Sequence, residues 1–152
     1  MKTLKRSITV LVCLILFTSC TKSIDGKKEK EYIEKRKGII YYKDEPFTGE
    51  MFENYENGQL RIKVNYIDGK LEDGLIKKYH RNGQLREMTN IKDGKLDGIY
   101  ARYYFNGQLR EKFKGKGNIK GGFQDGTMEK YDENGLLKDM YKYKDGKRKK
   151  ID

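Results

Sequence analysis

Gly98-Ile99-Tyr100-Ala101-Arg102-Tyr103-Tyr104-Phe105-Asn106-Gly107-Gln108-Leu109 is the stretch that decides the fold of this chain. A strand-like run rich in tyrosine leads from a glycine to Asn-Gly, the commonest dipeptide of tight β-hairpins. The closing tetrad recurs at 57–60 and 82–85, and a variant, Asn-Gly-Leu-Leu, begins at Asn134. The four copies are spaced by 25, 24 and 28 residues. In each copy a glycine (Gly49, Gly74, Gly98, Gly126) stands eight residues ahead of the turn asparagine (Asn57, Asn82, Asn106, Asn134). One supersecondary unit of about 25 residues is therefore repeated, the signature of a stacked array.

The unit reads as a hairpin. Position two after the leading glycine is apolar throughout, as Met51, Ile76, Tyr100 and Met128. In copy one the return strand alternates Leu60, Ile62, Val64 and Tyr66 with Arg61, Lys63 and Asn65, which marks a strand with one buried face. Asp68-Gly69, Asp93-Gly94 and Asp145-Gly146 supply the alternate turns. The Asn-Gly pairs are expected to form two-residue type I′ turns. The fold class predicted is all-β: an elongated antiparallel meander, an open single sheet over residues 38–147. Residues 39–49 read as a half repeat that starts the sheet, with Phe47 in the place of Leu71 and Leu96. Copy three carries three or four extra residues around 114–117 that lengthen or bulge its second strand, read first as a drifted loop and second as a specificity feature. No strand is expected after Asp145-Gly146, and the basic tail 148–152 would guard the last edge.

Composition sets the limits. Only 36% of residues are hydrophobic and 38% are charged, with a mean hydropathy of −0.95. Without the repeat that balance would indicate disorder. Twelve Tyr and six Phe supply the thin apolar strip that stacked hairpins need. The formal charge is +11, or +8 once Lys2, Lys5 and Arg6 are removed with a leader. The cations are spread over every repeat among 23 acidic residues, a distribution of a solvated surface rather than of a nucleic-acid groove.

The first residues carry an address. Lys2, Lys5 and Arg6 precede an apolar run at 8–17, followed by Phe17-Thr18-Ser19-Cys20. This is the pattern of a secretory signal peptide, 1–19. With Cys20 at its end, the pattern resembles the lipobox of bacterial lipoproteins, which implies cleavage before Cys20 and acylation (diacylglyceryl, palmitate) of its thiol. Cys13 would leave with the leader, so no disulfide is available and acylation accounts for the remaining thiol. Residues 20–37, dense in Lys and Glu, read as a charged, solvated tether. Thr21 after the cysteine points to the outer membrane if the host is Gram-negative. The expected location is the bacterial cell envelope, lipid-anchored and facing periplasm or exterior.

The pattern Gly-x-Φ-x-x-Tyr-x-x-Asn-Gly-Gln-Leu, followed by Asp-Gly-Lys-Leu-x-Gly, resembles the MORN-repeat variant of the YwqK-type antitoxin component family over about residues 38–147. The resemblance implies an elongated β-meander that binds proteins, some members being paired with secreted toxins, and it brings no catalytic residues.

Few residues of the chain carry the means for chemistry. His80, the sole histidine, occupies a position where other copies have Tyr55, Tyr104 and Asp132, so it reads as a strand residue. No metal set, nucleophile triad or phosphate loop is present, and neither an enzyme nor a cofactor is expected. Glu87, Glu111 and Asp139 share the fifth position after the turn asparagine and would align on one face. Arg86, Arg110 and Lys138 precede them and Lys78, Arg102 and Lys130 recur on the first strand, so a neutralised cross-strand lattice is the first reading and a cation or basic-partner stripe the second. Tyr79, Tyr103 and Tyr131 form a column read first as core and second as a sugar-binding ladder. The function expected is non-catalytic binding of a protein partner, by a monomeric array, through its sheet face. The alternatives are an antitoxin or immunity protein that neutralises a toxin, and a surface module for anionic lipid or envelope polysaccharide.

Overall fold

The computed structural model describes residues 22–118 and 122–151. The leader, Cys20, Thr21, residues 119–121 and Asp152 lie outside these residues. Among the described residues the strands are β1 (Ser23–Asp25), β2 (Ile33–Arg36), β3 (Ile39–Tyr42), β4 (Glu45–Pro46), β5 (Gly49–Asn54), β6 (Leu60–Ile67) and β7 (Lys70–Leu71). They continue with β8 (Gly74–Tyr79), β9 (Leu85–Lys92), β10 (Lys95–Tyr103), β11 (Leu109–Asn118), β12 (Gly122–Tyr131), β13 (Leu137–Lys144) and β14 (Lys147–Ile151). An eleven-stranded open sheet runs β1-β5-β6-β8-β9-β10-β11-β12-β13-β14, with β7 on β6, and β2-β3-β4 form a small second sheet. From β5 onward every neighbour in the main sheet is antiparallel. The hairpin meander follows the repeat.

The turns differ from expectation in kind. Asp68, Asp93 and Asp145 lie at φ 48°, 49° and 49°, each followed by a glycine at positive φ, so the Asp-Gly pairs make the type I′ turns. The Asn-Gly turns are one residue longer. In the first, the Gly58 N–H donates to the Tyr55 carbonyl at 2.9 Å and the Tyr55 N–H donates to the Gln59 carbonyl at 2.8 Å. That geometry is a three-residue loop with only the glycine at positive φ, and it repeats at His80, Tyr104 and Asp132. The extra residue shifts the register just before each turn, between Glu53 and Asn54 in copy one.

Three further expectations are corrected. The tether is folded from Lys22: β1 pairs parallel with β5, Ile24 opposite Met51, and Ile24 is only 2% exposed. A single isoleucine among charges suffices because it packs with Tyr42 and Phe47 in one buried cluster. Residues 39–46 do not start the main sheet; β3 pairs with β2 and β4 with β3 in the small sheet. The tail after Asp145-Gly146 forms β14 against β13, with Tyr143 opposite Arg148.

Among the described residues the core has two centres. Ile24, Tyr42 and Phe47 form one, packed by Ile33, Ile40, Met51 and Tyr66. Leu96, Phe113 and Met128 form the other, packed by Tyr100, Phe123, Tyr141 and Tyr143. The extra residues of copy three lengthen both β11 and β12, to ten residues each. The lengthened hairpin brings Phe123 over Phe113 in a stacked pair with ring centroids 4.1 Å apart, so an open sheet buries Phe113 completely. Gly126 makes this approach possible: at φ 151°, a Cβ there would meet the Lys114 carbonyl oxygen at 2.3 Å and Phe113 Cζ at 2.7 Å.

Candidate functional site

A chain of hydrogen bonds runs along the Asn-Gly turns. Asn57 Nδ2 donates to the Arg81 carbonyl at 2.8 Å, Asn82 to Phe105 at 3.0 Å and Asn106 to Glu133 at 3.1 Å. Each of these asparagines also accepts, through Oδ1, the N–H of Gln59, Gln84 or Gln108 within its own turn. The glutamine of one turn then lies over the glycine of the next; a Cβ on Gly107 would meet Gln84 Oε1 at 2.9 Å. Tyr55 and Tyr104 donate through their hydroxyls to the carbonyls of Tyr79 and Tyr131 at 2.7 and 2.9 Å. His80 does the same work: its Nε2 lies 3.0 Å from the Tyr103 carbonyl, which can only accept, so this nitrogen carries the proton. His80 thus closes a turn rather than extending a strand. Among the described residues the Asn134 side chain reaches no further turn, and there Asp132 accepts the N–H groups of Asn134 and Leu136 at 2.9 Å. The tetrad recurs because it joins repeat to repeat.

The opposite turns have their own link, which the sequence reading missed. Thr48 Oγ1, Asp73 Oδ1 and Asp125 Oδ1 accept the N–H of Asp68, Asp93 and Asp145. Their constant separation of twenty residues was the available signal.

Across the sheet, the carboxylate column is a lattice of alternating charge. Lys78 stands opposite Glu87, Glu87 opposite Arg102, Arg102 opposite Glu111, Glu111 opposite Lys130 and Lys130 opposite Asp139. Lys78 Nζ is 2.5 Å from Glu87 Oε1, Arg102 lies 3.2 Å from Glu87 and 3.4 Å from Glu111, and Lys150 is 2.6 Å from Asp139. Burial pushes the Glu87 carboxyl up, but hydrogen bonds and charge from Lys78 and Arg102 outweigh it and hold it below the usual carboxylate range. Asp139 is held low chiefly by its hydrogen bond from Lys150. Arg86, Arg110 and Lys138 fall at the register shifts and take no place in these cross-strand pairs; Arg110 lies over the Tyr104 ring at 5.9 Å. Tyr79, Tyr103 and Tyr131 are half-buried, not core, because they share the turn-proximal rim while the apolar centres form further along the strands.

Beside this lattice lies a groove of about 410 Å³. Only Ile62–Lys78 and Lys63–Lys77 link β6 to β8, and beyond them β6 turns to pair with β7, leaving a fork. Ile62, Val64, Ile76, Thr89 and Ile91 line it together with Tyr66, Leu71, Leu96 and Tyr100. Phe123, Asn118 and Gly122 of the lengthened hairpin line it too, while Lys78, Glu87 and Arg102 bring charge to it. Burial pushes the Tyr100 hydroxyl up to about 12, so it stays a neutral hydrogen-bonding group. The copy-three insertion, expected as drift, thus contributes directly to the groove.

Among the described residues no group of His, Cys, Asp and Glu is placed to hold a metal ion, and no helix is long and apolar enough to cross a membrane. The fold and its interlocked turns define a β-hairpin repeat protein. Residues 47–68, 72–93, 96–114 and 124–145 match the MORN repeat variant family, more than half of the chain. The chain belongs to that family. No match is found among curated proteins.

Proposed function

We propose that this chain is a non-catalytic, lipid-anchored protein of the bacterial cell envelope that binds a protein partner through the grooved face of its sheet. The groove carries this reading. Apolar and aromatic walls with a few convergent charged groups suit an anchoring side chain of a partner, a common basis of interface affinity. Repeat arrays offer such extended faces without a catalytic pocket. The lipobox-like Phe17-Thr18-Ser19-Cys20 supports acylation at Cys20 and an envelope location, in the outer membrane if the host is Gram-negative.

The test is crosslinking in host cells of a C-terminally tagged chain, followed by mass spectrometry of the membrane fraction. A single dominant protein is expected, lost when Ile76→Lys fills the groove with charge and retained in Arg86→Gln. A captured toxin whose activity is relieved by co-expression would place the chain with the YwqK-type antitoxins. Capture that persists in Ile76→Lys would refute the groove as the contact.

A further inference from the structure

If Cys20 is acylated, as proposed above, the fold of the next residues fixes where the domain sits. The Glu50 N–H donates to the Lys22 carbonyl at 2.8 Å, and Gly26 N–H to the Phe52 carbonyl at 2.8 Å, so β1 is clamped at both ends. Ile24 is buried between them at 2% exposure. Only Thr21 separates Cys20 from the clamped Lys22. At roughly 3.5 Å per residue, the acylated sulfur's backbone lies within about 7 Å of the folded domain. A free tether of residues 20–37 would instead reach roughly 60 Å.

The surface at this point has the chemistry of a membrane interface. Lys22 Nζ lies 4.0 Å from the ring centroid of Tyr42, and Lys43 Nζ lies 4.9 Å from that of Tyr32. Tyr32, 46% exposed, is a large aromatic left open beside them. Tyr42 is tied down from the other side by its hydroxyl, which donates to Glu29. Tyrosine seats at the headgroup level, its ring in the apolar boundary and its hydroxyl wet, and lysines there meet lipid phosphates.

We infer that Lys22, Tyr32 and Lys43 form a membrane-seating surface, and that the array stands end-on in the headgroup layer with no free spacer. The lipid occupies one end of the sheet; the grooved face stays clear for the partner.

The chain contains no tryptophan, so single reporters are clean. The full acylated protein carrying Tyr32→Trp, purified from membranes, is placed in phosphatidylethanolamine–phosphatidylglycerol vesicles with brominated acyl chains. A second protein carries Leu136→Trp, in the last Asn-Gly turn at the far side of the sheet. The expected result is a blue shift and loss of most emission for Tyr32→Trp, and neither for Leu136→Trp. Adding Ile24→Asp, which frees β1, should restore the Tyr32→Trp emission while the protein still sediments with vesicles; Ile24→Val should not. Mass spectrometry of Cys20 separates the two layers. An unmodified Cys20 overturns the anchoring reading and this inference with it. An acylated Cys20 with unquenched Tyr32→Trp overturns this inference alone, and equal quenching at both reporters overturns it in favour of a sheet lying flat.

Discussion

Asn82 and Asn134 occupy the same place in the repeated tetrad, yet Asn82→Ala should destabilise the protein and Asn134→Ala should not. Asn82 makes two hydrogen bonds: Nδ2 to the Phe105 carbonyl at 3.0 Å, and Oδ1 from the Gln84 N–H at 3.1 Å. The corresponding backbone donor in the last turn, Leu136 N–H, is served by Asp132. Among the described residues the Asn134 side chain holds no hydrogen bond. Each bond lost at Asn82 is worth about 1 kcal/mol net. Since the turn is exposed and water replaces part of the loss, Asn82→Ala should cost about 1–2 kcal/mol, and Asn134→Ala less than about 0.5 kcal/mol. For a chain of this size that is a fall in Tm of roughly 3–8 °C against almost none. The lost bond to Phe105 joins copy two to copy three, so the transition should also broaden, as expected when one interface of a linear array weakens. Urea unfolding followed by tyrosine fluorescence and circular dichroism measures both effects. Equal losses from the two substitutions would show that the asparagine serves only its own turn, and the ladder would be refuted.

Other outcomes follow from the same geometry. Phe113→Ala removes a fully buried ring stacked under Phe123 and should cost about 3–5 kcal/mol by equilibrium unfolding. Gly126→Ala places a methyl 2.3 Å from the Lys114 carbonyl oxygen and should cost about 3 kcal/mol or more. Gly146→Ala, with nothing within 4 Å, should cost about 1 kcal/mol for the positive φ alone. Folding lowers the Glu87 carboxyl from its unfolded value of about 4.3, so its ion pairs stabilise fully above that pH and are lost as pH falls through the folded value. Lys78 and Arg102 are 34% and 46% exposed, so Glu87→Gln should cost only about 1 kcal/mol at pH 7 and reduce the loss of stability as the solution is acidified below the ordinary carboxylate range, measured by unfolding across pH. Cys20→Ser should move the chain out of the membrane fraction, seen by fractionation and mass spectrometry.

Much of the fold was legible because turn chemistry is local. Asp-Gly and Asn-Gly place a bend wherever they occur, and alternation such as Ile62-Lys63-Val64 names the buried face without reference to any distant residue. The charge lattice was legible for the same reason: Lys78, Arg102 and Lys130 share one repeat position, Glu87, Glu111 and Asp139 another, and hairpin pairing sets them opposite. The expectation of two-residue Asn-Gly loops failed because two- and three-residue loops both accept a glycine at positive φ, and the three-residue form is the one adopted. In three of the four turns the asparagine side chain then reaches a carbonyl on the next turn, and that carbonyl belongs to another repeat, so no local pattern records the link.

The sequence by itself determined a β-hairpin array, its period and its alternating faces, because each is written in contacts between neighbours along the chain. Tertiary structure decided the rest. Ile24 is an isolated apolar residue among charges, and its burial depends on Tyr42 and Phe47, which lie about twenty residues further along the chain. Phe123 becomes a lid on Phe113, and a wall of the groove, because the extra residues of copy three lengthen two strands at once. Burial depends on what arrives from elsewhere in the chain, and no local pattern records it.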